Sequence, residues 1–527
     1  MLAEPNVMVL AENLNESIIK SFPIECIVLS KHDNIGVLAV SDGKKGQFAR
    51  YGTSYIKLLN DIPQGHKLAV KDIPNGSPIL KFGQAIGYGS CEIKAGEHVH
   101  INNVSFANNV KFSSIHIASN LCKENLLPES FQGYLRSDNQ AGTRNYVIVV
   151  STVNCSATVV KRITEHFKKE KLLQYGIDGV IPVIHPGGCT EAIGSYFHKI
   201  LNRTLAGWIE NPNVVGALIV GLGCECTTMD TISEYLCHNL ALKGHINSFT
   251  IQDTGGASKS IQIGIEKVKN IIEGLPKFIR TKCPLSLLHV ATNCGGSDAF
   301  SSLTANPALG IACDILISKG GTASFAETPE CFGAEEVLAG RCKRKEDAKK
   351  LLDLFSWWNL YIEKNGVIMN DNISSGNIEG GITTILEKSL GAVAKAGSTQ
   401  ITQVVDYAER ITEKGLVFMN TPGFDPASVT GLVAGGCNIV AFTTGRGSMY
   451  GCSIVPTVKI STNSILFRKF EEIDIDAGDI LRNGNILDTG YKIFMKLIEC
   501  ANGERTKSET IGAGLEEFVP WQVGAVL

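Results

Sequence analysis

Short apolar runs broken by turn residues fill residues 25–103. Ile27-Val-Leu29, Gly36-Val-Leu-Ala-Val40, His66-Lys-Leu-Ala-Val70, Pro78-Ile-Leu-Lys-Phe82 and His98-Val-His-Ile101 are the runs, and Pro63-Gln-Gly65, Pro74-Asn-Gly76 and Lys94-Ala-Gly96 separate them. Strands this short, at this spacing, predict a small all-β domain. Residues 1–24 read as an ill-ordered or weakly helical lead, and the polar, patternless 104–132 as a linker. From Tyr146 the rhythm changes to strand then helix. Strands are expected at 146–153, 179–185 and 214–223, with a weaker one at 245–252 and helices over 157–171 and 190–202. A second such region starts near Ser286, with strands at 286–293, 321–327, 415–420 and 439–445. Helices are expected at 334–364 and 488–502. Alternation of this kind favours parallel sheets covered by helices. The expected fold class is α/β: a small N-terminal all-β domain, then two α/β domains (133–285 and 286–527) with mainly parallel sheets.

Composition narrows the partners. The 527 residues carry a net charge of −3 and are 19% charged, so nucleic acid and anionic membrane are not expected to bind. No apolar run reaches transmembrane length, and Met1–Glu12 lacks the basic region of a signal peptide. Sixteen cysteines without a Cys-x-x-Cys pair point to reduced thiols in the cytoplasm and away from a thiol redox protein. A homodimer is one option for a chain of this size.

Four of those thiols stand where an apolar run breaks into a turn: Cys155, Cys189, Cys224 and Cys294. Parallel strands deliver their C-terminal ends to one edge, where α/β proteins place ligands, so one shared pocket is expected. Gly221-Leu-Gly-Cys-Glu-Cys226 lacks the third glycine of a dinucleotide fingerprint, and no Gly-x-x-x-x-Gly-Lys-Ser/Thr loop occurs, so no nucleotide cofactor is expected. Thr443-Thr-Gly-Arg446-Gly-Ser-Met-Tyr-Gly451 follows a buried strand, and an arginine between glycines suits an anion. Ala141-Gly-Thr-Arg144-Asn145 is similar, but precedes its strand and serves as well as a joining turn. His98 and His100 share one strand face, a spacing compatible with a metal and equally with two surface histidines.

In these residues the chain resembles the altronate/galactarate dehydratase family of sugar-acid dehydratases. The matching stretches include Gly142-Thr-Arg-Asn145, Gly221-Leu-Gly-Cys-Glu225, Cys294-Gly-Gly-Ser-Asp298, Gly380-Gly-Ile-Thr383, Lys395-Ala-Gly397 and Thr444-Gly-Arg-Gly447. Gly65-His-Lys67 and Gly96-Glu-His-Val-His100 resemble the family's N-terminal SAF-type domain. Departures fall at Ser30, Pro186-Gly187, Ser374-Ser-Gly-Asn377 and Ser448-Met-Tyr450.

The resemblance implies removal of water from a hexonic or hexaric acid, such as altronate, to give a 2-keto-3-deoxy acid. It implies a divalent metal, Fe(II) first and Mn(II) as the alternative, that stabilises the enediolate. On that reading Cys155, Cys189, Cys224 and Cys294 surround the metal. His185 and His66 serve as acid or base, with Glu225, Asp298 and Glu327 behind them, and Arg144, Arg446, His100 and Asp298 bind the hydroxy acid. Delivered over the α/β edge, His66 and His100 would make the β domain a lid. A sulfo-lyase and a non-catalytic sugar-acid binder are the alternatives.

Overall fold

The computed structural model describes residues 23–114, 127–236, 244–482 and 484–523. The expected lead therefore lies almost wholly outside the described residues, as does 115–126 of the expected linker.

The N-terminal domain is a six-stranded sheet built around Ile35–Leu38 and Lys67–Ala69, beside a three-stranded one of Pro78–Lys81, Gln84–Gly89 and Val104–Ser105. Two strands absent from the sequence reading, Phe48–Tyr51 and Ser54–Lys57, form an edge hairpin. Exposed Arg50, Ser54 and Lys57 dilute their apolar alternation. The last residues of the expected linker also differ. Ser130–Leu135 is a strand paired antiparallel with Thr281–Pro284, anchored by the buried Phe131, and it ties the two ends of the middle domain together.

The middle domain holds a parallel sheet in the order Gly179–Val183, Tyr146–Ser151, Val214–Gly221, Ile246–Thr250. Val214–Gly221 is buried along its whole length, as a strand covered on both faces must be. Val147 and Val149 face a core with Ile163, Phe167 and Ile271. Ile148 and Val150 face the main core with Leu201, Leu205 and Trp208. The helix expected from residue 190 starts at Tyr196, where Ser195 caps it by accepting from His198 N.

The C-terminal domain holds a seven-stranded parallel sheet in the order Ile401–Val405, Gly415–Met419, Thr322–Phe325, His289–Cys294, Ile439–Thr444, Thr457–Ser461, Ile475–Asp476. The first and the last two were not expected. Thr402, Gln403, Lys459 and Ser461 break their apolar runs. The expected 334–364 helix is two, Glu335–Gly340 and Lys345–Lys364.

The two parallel sheets meet at their N-terminal ends. Thr143 Oγ1 donates to Asn438 O at 2.8 Å, Asn213 Nδ2 to Ile454 O at 2.9 Å, and Asn438 Nδ2 to Ala141 O at 2.9 Å. Every strand runs away from this seam, so the two C-terminal edges each stand about 20 Å of strand from it.

Candidate active site

In the seven-stranded sheet, His289–Cys294 and Ile439–Thr444 are neighbours whose chains continue to opposite sides of the sheet. That is a topological switch point, where the loops after the strands part and leave a crevice. Here the Cys294-Gly-Gly-Ser-Asp298 and Thr444-Gly-Arg-Gly447 turns are laced together. Gly295 N donates to Thr443 O at 2.9 Å, and Gly445 N and Arg446 N both donate to Gly296 O at 2.9 Å. The Gly295-Gly296 floor lies between two charged side chains. A Cβ on Gly295 would stand 3.2 Å from Asp425 Oδ2, and one on Gly296 would stand 3.0 Å from Arg446 Cβ.

Asp425 opens the Asp425–Ala434 helix and accepts from Asn293 Nδ2 at 2.8 Å. Burial, then the neighbouring Glu330 carboxylate, push its pKa up to about 7, a value suited to a general base. Sequence reading did not single it out. An aspartate before proline at a helix start reads as a cap, and only packing against the acidic neighbours reveals more. Beside it Lys388 Nζ lies 2.8 Å from Glu330 Oε1 and donates to Asn372 Oδ1 at 2.8 Å. Burial lowers the Lys388 pKa but Glu330 outweighs it, and the net shift is upward. Glu327 pairs with Lys395 and its backbone is left-handed, φ 67°. Buried oxygens Asn293 Oδ1, Glu327 Oε1 and Glu330 Oε2 have no hydrogen-bond partner.

The β domain closes over this edge. His66 Nε2 lies 3.1 Å from Glu379 O, and Glu379 Oε2 pairs with Arg446 Nη2 at 2.6 Å. Gln64, Asp298, Glu379, Arg446 and Asn463 line a cavity of about 330 Å³ between the domains. Asp298 accepts from Ser301, Thr462 and Asn463, and a Cβ on Gly445 would stand 2.3 Å from its Cγ. Larger clefts, about 530 and 780 Å³, lie along the seam and beside the start of Gly179–Val183, away from the strand exits.

His66, His98 and His100 meet at the rim. His66 Nδ1 is 3.0 Å from His98 Nε2, the His98 and His100 rings stack at 5.2 Å, and one nitrogen of each ring lies within 4.8 Å of the others. His100 Nδ1 is buried without a partner. Burial, then His66 and His100, push His98 down to about 3; burial, then Lys67, push His100 down to about 4. Three neutral imidazoles with an unpartnered nitrogen fit a divalent transition metal. His98 and His100, whose spacing is compatible with a metal, are joined by His66 from the turn before Lys67–Ala69.

The remaining expected residues divide between this site and other places. Cys294 does not join the other three thiols: it ends a strand of the seven-stranded sheet, buried against Ser297 Oγ at 2.9 Å and Asn306. Cys155, Cys189 and Cys224 lie at the C-terminal edge of the middle sheet, across the seam. The expectation of one shared pocket needed the C-terminal edges of the two sheets to meet, whereas the sheets join at their N-terminal ends.

Arg144 is also corrected. Its guanidinium is consumed by Glu509 at 2.7 and 2.9 Å and by the carbonyls of Thr143, Cys500 and Glu504, so it pins the C-terminal segment and has no face for substrate. Glu225 accepts from Leu222 N, Gly223 N, Cys224 N and Thr152 Oγ1. Its carboxylate holds a turn. His185 is buried, gives Nε2 to Ser151 O at 2.9 Å, and burial pushes its pKa down to about 4. It sits in the middle domain, not at the histidine rim.

An α/β enzyme with a β-domain lid, a raised carboxyl and an arginine at a switch point is built for chemistry on a small anion, and the comparisons give the class. Residues 24–107 match the altronate/galactarate dehydratase SAF domain, 133–275 the D-galactarate dehydratase/altronate hydrolase second domain, and 285–526 the D-galactarate/altronate dehydratase C-terminal domain. The altronate dehydratase of Bacillus subtilis is 35% identical over 92% of this chain and 96% of its own. The galactarate dehydratase (L-threo-forming) of Escherichia coli is 32% identical over 90% and 92%. The (2R)-sulfolactate sulfo-lyase β subunit of Chromohalobacter salexigens is 31% identical over 74% and 96%. The protein is thus a hydro-lyase by class. It belongs to the altronate/galactarate dehydratase family. Among the described residues, no helix is long and apolar enough to cross a membrane.

Proposed function

We propose that the chain dehydrates a hexonic or hexaric acid such as altronate to a 2-keto-3-deoxy acid, working in the reducing cytoplasm that its many free thiols suit. The observation that carries this reading is the Gly295-Gly296 floor between Asp425 and Arg446. Elimination needs a base for the proton on the carbon next to the carboxylate, an anchor for that carboxylate, and a way to bear the charge that builds on it. Arg446 anchors the carboxylate. Asp425, ionised above about pH 7, takes the C2 proton, the C3–O bond breaks, the hydroxide leaves as water with a proton from solvent, and the enol tautomerises to the 2-keto acid. Lys388, kept charged by Glu330, bears developing negative charge. The unpartnered oxygens of Asn293, Glu327 and Glu330 take substrate hydroxyls, which fixes which carbon faces Asp425.

His66, His98 and His100 would hold a divalent metal, Fe(II) first and Mn(II) as the alternative. When bound there, it supplies Lewis-acid stabilisation of the enediolate. The β domain keeps water from the cavity.

The test is an anaerobic assay of the protein, loaded with Fe(II) or Mn(II), on a panel of aldonic and aldaric acids plus sulfolactate. 2-Keto-3-deoxy products from a sugar acid are expected. Sulfite from sulfolactate alone would move the reading to the activity named for the sulfo-lyase relative, and no product from any acid with metal bound would overturn it.

A further inference from the structure

The middle sheet has its own switch point. Tyr146–Ser151 is flanked by Gly179–Val183 on one side and Val214–Gly221 on the other, so the loops after these strands part above Ser151. Each of these loops carries a thiol: Cys155 after the first strand, Cys189 after the second, and Cys224 with Cys226 after the third.

The loops are held together tightly. Asn154 N donates to Gly187 O at 3.0 Å, Cys226 N to Gly188 O at 3.0 Å, and Cys226 Sγ to Cys189 O at 3.2 Å. Gly188 has φ 102°, and a Cβ there would stand 2.1 Å from Thr152 O. Only glycine lets the Cys189 turn press on the Cys155 turn. Thr152 Oγ1 donates to Glu225 Oε1 at 2.8 Å, and the same carboxylate gathers the N–H groups of Leu222, Gly223 and Cys224. These contacts bring the Cys155, Cys189 and Cys224–Cys226 turns to one edge of the sheet. None is in a disulfide; Cys155, Cys189 and Cys224 are exposed and Cys226 half-buried.

Thiols gathered from separate turns on a scaffold this rigid are placed for ligation, since apolar packing would bury them. The spacing discriminates between ligands. Four sulfurs on one tetrahedral ion, each about 2.3 Å from it, stand about 3.8 Å apart. Among the described residues the histidine triad is the group of three or more whose ligand atoms close to within 4.8 Å, and the thiols do not form such a group. Sulfurs near one another yet too spread for one ion suit a polynuclear centre. Cys155 also lies one residue before Ser156, the N-cap of the Ala157–Phe167 helix, whose positive end favours an anionic thiolate.

We propose that Cys155, Cys189, Cys224 and Cys226 ligate an iron–sulfur cluster at the C-terminal edge of the middle sheet, separate from the cavity beneath the β domain. Each thiol gives up its proton on ligation, and iron and inorganic sulfide fill the space between the sulfurs.

The test uses the full chain, reconstituted anaerobically with Fe(II) and sulfide, with iron and acid-labile sulfide measured beside the visible sulfide-to-iron absorption and the Mössbauer spectrum. Bound sulfide about equal to the iron bound beyond the one ion that His66, His98 and His100 would hold, with a cluster spectrum, is expected. The double variant Cys189→Ser/Cys224→Ser should lose most of the sulfide, while Cys91→Ser, an exposed thiol of the β domain, keeps it. Iron without labile sulfide, a disulfide among the four, or full sulfide in the double variant would each overturn the proposal. Should the double variant fail to fold, the wild-type sulfide ratio and Mössbauer spectrum still decide. Because the readout is sulfide and not turnover, its failure is distinct from failure of the dehydratase reading.

Discussion

Lys67 Nζ lies 2.8 Å from Glu387 Oε2 across the boundary between the β domain and the C-terminal domain, with both side chains out of solvent. Lys81 joins from the same side, 2.9 Å from Glu387 Oε1, so one carboxylate holds two ammoniums. Removing it strands both charges in the interior, and a broken buried pair costs about 3–5 kcal/mol. Glu387→Ala should lower the unfolding midpoint in urea and expose the β domain to limited proteolysis, while Lys45→Ala at an exposed position should change neither.

That clamp also predicts an acid limit. Burial alone would raise the Glu387 pKa, but Lys67 and Lys81 outweigh it and bring 4.5 down to about 2. A carboxylate depressed on folding stabilises the native state above its unfolded pKa and loses that contribution as pH falls through the folded one. Docking of the β domain should therefore hold at pH 5 and weaken between about 4.5 and 2, followed by hydrogen exchange at Lys67–Ala69. Glu387→Gln should remove this acid-dependent part.

Asp425 works as a base only when ionised. With its pKa at about 7, kcat/KM should fall tenfold per unit as pH drops below that value. Asp425→Asn should lower kcat by about 10²–10⁴-fold and abolish that limb of the profile. Binding of the substrate, measured calorimetrically, should change little.

The two arginines should separate. Arg446→Lys keeps the charge but loses the fork and should raise KM with little effect on the unfolding midpoint. Arg144→Lys gives up contacts to Glu509 and the Cys500 and Glu504 carbonyls. It should lower the midpoint and leave KM unchanged.

If the histidines hold the metal, His98→Ala should weaken Mn(II) affinity at least about tenfold, roughly 1.4 kcal/mol, followed by electron paramagnetic resonance of the free ion. Cys155→Ser should leave that affinity unchanged, since its sulfur lies at the other sheet.

Much was legible before any folding. A buried parallel strand must be apolar on both faces, so Tyr146–Ser151 and Val214–Gly221 announce themselves. The turns after them carry the chemistry, and Arg446, Asp298 and the thiols stood out for that reason. Ile401–Val405 and Thr457–Ser461 did not, because Thr402, Gln403 and Lys459 break their runs. Asp425 was not singled out, since its neighbour Glu330 is far away in sequence.

By itself, then, the chain determined the order of its domains, the parallel sheets and the turns that bear reactive groups, because period and turn chemistry are local. Only the tertiary structure decided which turns share an edge. Two sheets joined at their N-terminal ends send Cys294 away from Cys155, Cys189 and Cys224. A buried ion pair between Lys67 and Glu387 brings His66 to Glu379, the partner of Arg446. Both results depend on packing between residues hundreds of positions apart, and no local pattern encodes that.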